Sequence, residues 1–185
     1  MSPPARPLRV RLTPITYGEL DQLLAMFLVR EVWRNFGYPR PPTLFRLRMA
    51  WRQREGHGHF IDRTDGGQRV GFAVYFGDLS PDDELEFGIA IPDPALRRLG
   101  LAHDAVLAVE QEMLGKGRCK ALWAWMDESN RAVLELAEWF GWTVTGREKR
   151  AQEMVDGMAD VKRIRLSAAD YPAVAARRPP RAEAP

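Results

Sequence analysis

Six residues in the middle of the chain, Arg97-Arg98-Leu99-Gly100-Leu101-Ala102, have the composition of an anion-binding turn. They follow an alternating run in which Leu85, Phe87, Ile89 and Ile91 form one face of a strand. They precede a stretch from His103 to Gly117 whose apolar residues (Ala102, Val106, Val109, Met113) recur at helical spacing. A strand therefore feeds a helix through a loop that contains Gly100. The first-turn N–H groups of such a helix lack intrahelical partners, and a glycine lets an anion reach the backbone with no side chain in the way. That geometry suits phosphate. On the strand itself, Glu84 and Glu86 occupy the face opposite the apolar stripe, where a carboxylate can accept a proton.

The elements that must hold these groups come from a chain of 185 residues, a length that favours one domain, with 45% hydrophobic and 28% charged residues. Such a chain buries a substantial core. The formal charge is +2, from 27 Lys and Arg against 25 Asp and Glu, and gives no support to a nucleic-acid partner. Cys119 is the only cysteine, which excludes an internal disulfide framework and fits a reducing compartment. The opening MSPPARP has no apolar core of signal-peptide type, and no apolar run approaches the roughly 20 residues that a membrane-spanning helix needs. The chain is expected to be soluble and cytoplasmic, with no membrane partner.

From the N-terminus, Leu8 to Thr13 alternates as a half-buried strand. Thr16 with Glu19 has capping-box spacing ahead of Leu20, Leu23, Leu24, Phe27 and Leu28, which predicts a helix ending near Asn35 to Gly37. Pro39, Pro41 and Pro42 force an irregular connection before a helix from Thr43 to Glu55. That helix interleaves Arg46, Arg48, Arg52 and Arg54 with Phe45, Leu47, Met49 and Trp51; it reads as a solvated face, with an acidic acceptor or a nucleic acid as the alternative. His57 and His59 share one face of the next strand as a metal pair would, but nothing nearby completes a ligand set, and no metal is expected. Val70, Phe72, Val74 and Phe76 form its antiparallel partner across a turn at Thr64 to Gly67.

Ala121 to Met126 is a continuous apolar run, which predicts a strand buried on both faces, parallel to Glu84–Ile91 and joined to it right-handedly. Asp127 to Asn130 opens a short helix with Val133, Leu136, Ala137 and Phe140 on its buried stripe, closed by Gly141. Asp156-Gly157 marks a hairpin between Thr143–Val155 and Met158–Leu166. Residues 1–7 are expected to be flexible, 8–166 to form a single domain, and 171–185, rich in Pro, Ala and Arg with little to bury, to be disordered.

The element order β-α-α-β-β-β-α-β-α-β-β, with Arg-x-x-Gly-x-Ala opening the central helix, resembles the GNAT superfamily of acyl-CoA-dependent N-acyltransferases over roughly Leu8 to Leu166. A second match is Asn130, followed eleven residues later by Gly141 and the aromatic Trp142. The resemblance implies an α/β fold: a mixed central sheet with antiparallel N-terminal strands, a splayed parallel pair at its centre and flanking helices. It implies acetyl-CoA as co-substrate, with its pyrophosphate on the loop of Arg97, Arg98, Leu99, Gly100, Leu101 and Ala102. Pantetheine would run between the splayed strands beside Ile89 and Ile91, with Asn130 in contact, although Asn130 reads equally as a helix N-cap. Many members place a Tyr seven residues after the Asn to protonate the leaving thiolate; that position is Ala137 here, and Tyr75 is a remote substitute. The segment Glu86-Phe87-Gly88 is similar to the central strand of the ribosomal-protein N-acetyltransferase subgroup, which often lacks the Tyr.

The implied reaction moves an acyl group to a primary amine of a small molecule, peptide or protein. It needs a neutral nucleophile, a stabilised oxyanion and a route for the departing proton. Glu86 is the first choice of base and Glu84 the second. The acceptor pocket is expected to be framed by Trp33 to Pro42 and by the Arg-rich helix. A non-catalytic acyl-CoA-binding module is the alternative, supported by Ala137, and the oligomeric state stays open, a homodimer included.

Overall fold

Period-two alternation in the first half of the chain folds into a meander. In the computed structural model, which describes residues 7–53, 56–97, 99–154 and 157–178, four strands pair antiparallel in sequence order. They are β1 (Val10–Pro14), β2 (His57–Arg63), β3 (Arg69–Phe76) and β4 (Glu84–Ala90). β4 then runs parallel to β5 (Ala121–Asp127), and β5 pairs antiparallel with β7 (Gly157–Ser167), which carries β6 (Thr143–Met154) outside it. The seven-stranded sheet has the order β1-β2-β3-β4-β5-β7-β6, the mixed α/β architecture expected.

Alternate side chains on β3 show how the layers divide. Phe72 and Val74 join Leu20, Leu23, Phe27, Leu47 and Trp51 in the core under α1 (Leu20–Phe27), α2 (Arg30–Asn35) and α3 (Leu44–Gln53). Ala73 and Tyr75 point the other way, into a core with Val106, Val109 and Phe140 under α4 (Leu101–Glu110) and α5 (Arg131–Trp139). At the first helix, the Thr16 N–H donates to Glu19 Oε2 at 3.1 Å, so the capping-box spacing does start the chain turning. The single helix expected up to Asn35 is instead two, because Val29 is extended (φ −62°, ψ 121°) and redirects the chain before α2. α4 runs on as a wide π turn over Gln111–Gly115, and Gly117, at φ +64°, ends it in the left-handed region.

Two further expectations are overturned. The segment from Tyr171 is not disordered as far as Arg178: Tyr171–Arg177 forms α6, with Tyr171 and Val174 packed on the core. α6 approaches so closely that a Cβ on Gly141 would fall 2.6 Å from Val174 Cγ1. Arg178 then donates to Phe140 O (2.8 Å) and pairs through Nη1 with Glu110 Oε2 at 2.6 Å, while Trp142 Nε1 donates to Glu110 Oε1 at 2.7 Å. Composition argued against burial here, but one arginine with a buried partner outweighs it. Residues 1–6 and 179–185 lie outside the described residues, as do Arg54, Glu55 and the Asp156 of the hairpin turn.

The second correction concerns β5. Leu122 and Ala124 are buried, but Trp123 and Trp125 are only half-buried. Helices cover one face of the sheet at this strand, and the other face is shared with Arg163 and Arg165, which pair with Trp125 and Trp123 across β7. Among the described residues no helix is long and apolar enough to cross a membrane.

Candidate active site

The parallel ladder between β4 and β5 is short. It pairs Glu84 with Ala121, Leu85 with Leu122 and Glu86 with Trp123, and then stops. Beyond that point the strands diverge around a cleft of about 780 Å³ walled by Phe87 to Ile91 on one side and Ala124 to Asp127 on the other. Arg97 and Ala102 reach one end of it, α2 contributes Glu31 and Asn35 with its C-cap Phe36, and the β6–β7 ribbon contributes Glu148 and Val161.

Gly100 sits at φ +70°, ψ 18°, the left-handed conformation that glycine adopts without penalty, and forms the N-cap of α4. The Asp104 N–H closes the first turn on Gly100 O at 3.2 Å, so the N–H groups of Leu101 and Ala102, which precede it, have no acceptor four residues back within the helix. The side chains of this loop go different ways: Leu101 is buried, Ala102 faces the cleft, and Leu99 is exposed and outside it. What the loop presents at the helix start is backbone. Arg98 lies outside the described residues.

Arg97 lines the cleft, but its guanidinium works as a brace. Nη2 donates to Pro92 O (3.1 Å), Nε to Ile91 O (3.4 Å), and Nη1 pairs with Glu31 Oε2 at 2.5 Å. The residue thus fastens the loop to the end of β4 and to α2. Asn130 holds the N-cap position of α5, yet its side chain makes no capping bond; the cap is made by backbone, Leu134 N–H to Asn130 O at 3.1 Å. Its side chain lines the cleft, as do Ile89 and Ile91.

The two candidate bases part company. Glu86 lines the cleft. Glu84, two residues earlier on the same face, does not; Arg165 grips it through Nε at 3.2 Å from both oxygens and through Nη2 at 2.8 Å, with Arg163 Nη2 at 3.5 Å. The bond from Arg165 holds the Glu84 carboxyl below its ordinary range, which makes it a poor proton acceptor. Tyr75 is no substitute for the missing tyrosine either. It is fully buried, its hydroxyl lies 3.3 Å from His59 Nδ1, and burial pushes its phenol far above the ordinary value. Ala137 is buried beside Phe87, Phe140 and Trp142 in a small apolar recess adjoining the cleft.

The acceptor side matches the expectation in part: of the stretch Trp33 to Pro42, Asn35 and Phe36 line the cleft. α2 overhangs the cleft, but Trp33 turns into the core, and α3 contributes no lining residue; its Leu47 and Trp51 are buried under α1 instead. Sequence reasoning missed Trp125, Asp127, Glu148 and Val161. The signal was present in Trp123, Trp125 and Asp127, which share a period-two face, but a run taken as buried on both sides conceals it.

The family model for the acetyltransferase (GNAT) domain matches residues 9–143. The chain belongs to the GNAT acetyltransferase family. No curated protein matches its sequence. Among solved structures, spermidine N-acetyltransferase from Vibrio cholerae in complex with CoA and spermine superposes with a TM-score of 0.75 at 14% identity, covering 88% of this chain and 98% of that one. The dodecameric structure of the spermidine N-acetyltransferase from Vibrio cholerae in its intermediate state gives 0.70 at 14% identity, covering 88% of this chain and 96% of that one. At that identity the likeness is one of fold: the splayed β4–β5 pair and its flanking helices are the GNAT architecture.

Proposed function

We propose that this GNAT chain transfers an acetyl group from acetyl-CoA to a primary amine. The observation that carries the reading is the end of the β4–β5 ladder at Glu86 and Trp123, which opens a cleft of about 780 Å³ with a glycine-capped helix at one end and a carboxylate on its wall. The residues fit the donor. First-turn amides of Leu101 and Ala102 suit a pyrophosphate, and Ile89, Ile91 and Asn130 flank the space for a pantetheine arm. Bound there, acetyl-CoA supplies the acyl group as an activated thioester.

The chain's own groups supply the rest. Amides of β4 past Glu86, released from β5, are placed to donate to an oxygen on which negative charge develops. Glu86 takes the proton from the incoming ammonium, so that the nitrogen attacks neutral. Ala137 has no proton to give, and return of a proton to the departing sulfur falls to water. Ala137 also favours a second reading, an acyl-CoA-binding module without turnover.

Thiol release from acetyl-CoA against a panel of amines, including peptide N-termini and polyamines, tests the proposal. Release is expected with at least one acceptor, and Glu86→Gln is expected to lower turnover at least about tenfold with CoA affinity retained. CoA at 100 times its dissociation constant should also stabilise the fold by roughly 2.7 kcal/mol. Stabilisation without thiol release favours the binding module; no stabilisation at millimolar CoA overturns both.

A further inference from the structure

Beyond Glu86 the cleft changes character. Asp127 of β5 pairs with Val161 of β7, and Val161 pairs with Glu148 of β6, so these three neighbours form one row across the cleft floor, with the half-buried Trp125 one pleat back on β5. Four cations of the ribbon are engaged elsewhere. Arg147 and Lys162 each reach Glu128 at 3.9 Å, Arg163 stacks over the Trp123 ring at 4.6 Å, and Arg165 grips Glu84. Among the described residues lining the cleft, Arg97 is the one cation, and it is engaged by Glu31. The lining therefore sets Glu31, Glu86, Asp127 and Glu148 against a single arginine.

A surplus of carboxylates does not serve the reacting nitrogen. That nitrogen must lose its proton, and every additional negative charge close to it raises its pKa and opposes the loss. Carboxylates remote from Glu86 suit a second charge, one that persists through the reaction. The register gives the span. Glu86 pairs with Trp123, so Asp127 lies four residues further along, ~13 Å at the usual strand rise, and Glu148 stands two strands beyond Asp127, ~10 Å across. The Trp125 indole lines the cleft together with Glu148 and with Asp127, whose Oδ1 accepts from the Ser129 N–H at 2.8 Å while Oδ2 is left for a ligand; an indole and carboxylates in one cleft suit an ammonium, and Phe36 adds apolar wall for the chain between.

We infer that the acceptor is a linear aliphatic diamine, whose reacting amine lies at Glu86 and whose second ammonium seats on Trp125 between Asp127 and Glu148. This rests on the acetyl-transfer reading of the same cleft. The test uses the full chain saturated with CoA and compares, by calorimetry, octane-1,8-diamine with 8-aminooctan-1-ol, which has the same length and one charge. The diamine is expected to bind at least about tenfold more tightly, and the double variant Asp127→Asn, Glu148→Gln to bring its affinity down to that of the amino alcohol while still binding CoA. Trp125→Leu should reduce the same preference. Equal affinities, no binding of either amine to the CoA-loaded chain, or a double variant that keeps the preference overturns the inference alone. Failure of CoA itself to bind overturns the acetyl-transfer reading and the inference with it.

Discussion

The Phe36 ring occupies the space that a side chain on Gly88 would need: a Cβ built on Gly88 would lie 2.4 Å from Phe36 Cε1. The same ring packs on Phe27 and Phe72, at centroid distances of 4.9 and 5.6 Å, so the end of α2 is wedged between the α1 core and the wall of the cleft. Glu31 and Asn35 take their places in the cleft from this wedge.

Gly88→Ala should therefore act on the acceptor side. The added methyl must displace Phe36, at a stability cost of about 1–3 kcal/mol. Misplacing groups by an ångström next to a reacting centre lowers rates by up to about 100-fold. The expected result is a fall in acceptor kcat/KM of at least about tenfold with CoA affinity little changed, read by steady-state kinetics and a CoA titration. Adding Phe36→Leu should restore part of the loss, and an additive double variant would show that the two residues are not coupled in this way.

Gly100→Val probes the other end. A branched residue at φ +70° is strained by roughly 1–2 kcal/mol and places a side chain at the helix start. Coenzyme A affinity should drop by more than the stability change accounts for. A lowered melting temperature with unchanged affinity would reduce Gly100 to a turn.

The Glu84–Arg165 pair makes a pH prediction. The folded-state pKa of Glu84 is depressed by the hydrogen bonds from Arg165, so its stabilisation is present above the ordinary carboxylate range and is lost as pH falls through the depressed value. The Glu84 side chain is 30% exposed, which limits the effect to below about 1 kcal/mol. Urea denaturation of the wild type and Arg165→Leu should differ at pH 7 and converge as the pH falls through the depressed Glu84 value. A constant difference across that range would assign the loss to packing.

Arg178→Ala should be far more damaging. It leaves the fully buried Glu110 without its charge partner, and burial already raises the pKa of that carboxyl. Breaking a buried pair from one side costs about 3–5 kcal/mol, whereas replacing both members with apolar residues is often close to neutral. Thermal melts of Arg178→Ala and of the double variant Glu110→Leu, Arg178→Met decide it, with recovery expected in the double variant.

How much of this was legible in sequence follows from the range of each interaction. Local signals carried far: the alternation of Phe72 and Val74, the Thr16–Glu19 spacing, and Gly100 between a strand and a helix each depend on neighbours a few residues away. Those signals give the parallel β4–β5 pair and the loop that caps α4. They could not separate Glu84 from Glu86, which share a face and a spacing; the separation comes from Arg165, eighty-one residues on, and from where the ladder ends. Nothing local in the sequence marks Glu110, since its partner Arg178 lies in a segment whose composition suggests nothing to bury. Val29 carries no breaker signature, and α2 turned on it.

The short parallel ladder has a mechanical side. A meander of four strands and a three-stranded unit of β5, β6 and β7 are joined within the sheet by three residue pairs, Glu84–Ala121, Leu85–Leu122 and Glu86–Trp123. The cleft proposed to take acetyl-CoA is thus also the seam at which the two halves of the sheet are least stitched together. A molecule lodged between the diverging strands bridges both halves and acts as a strut. Amide exchange at Phe87–Ala90 and Ala124–Asp127 should slow when the cleft is filled, because loading the site and stiffening the sheet are there the same event.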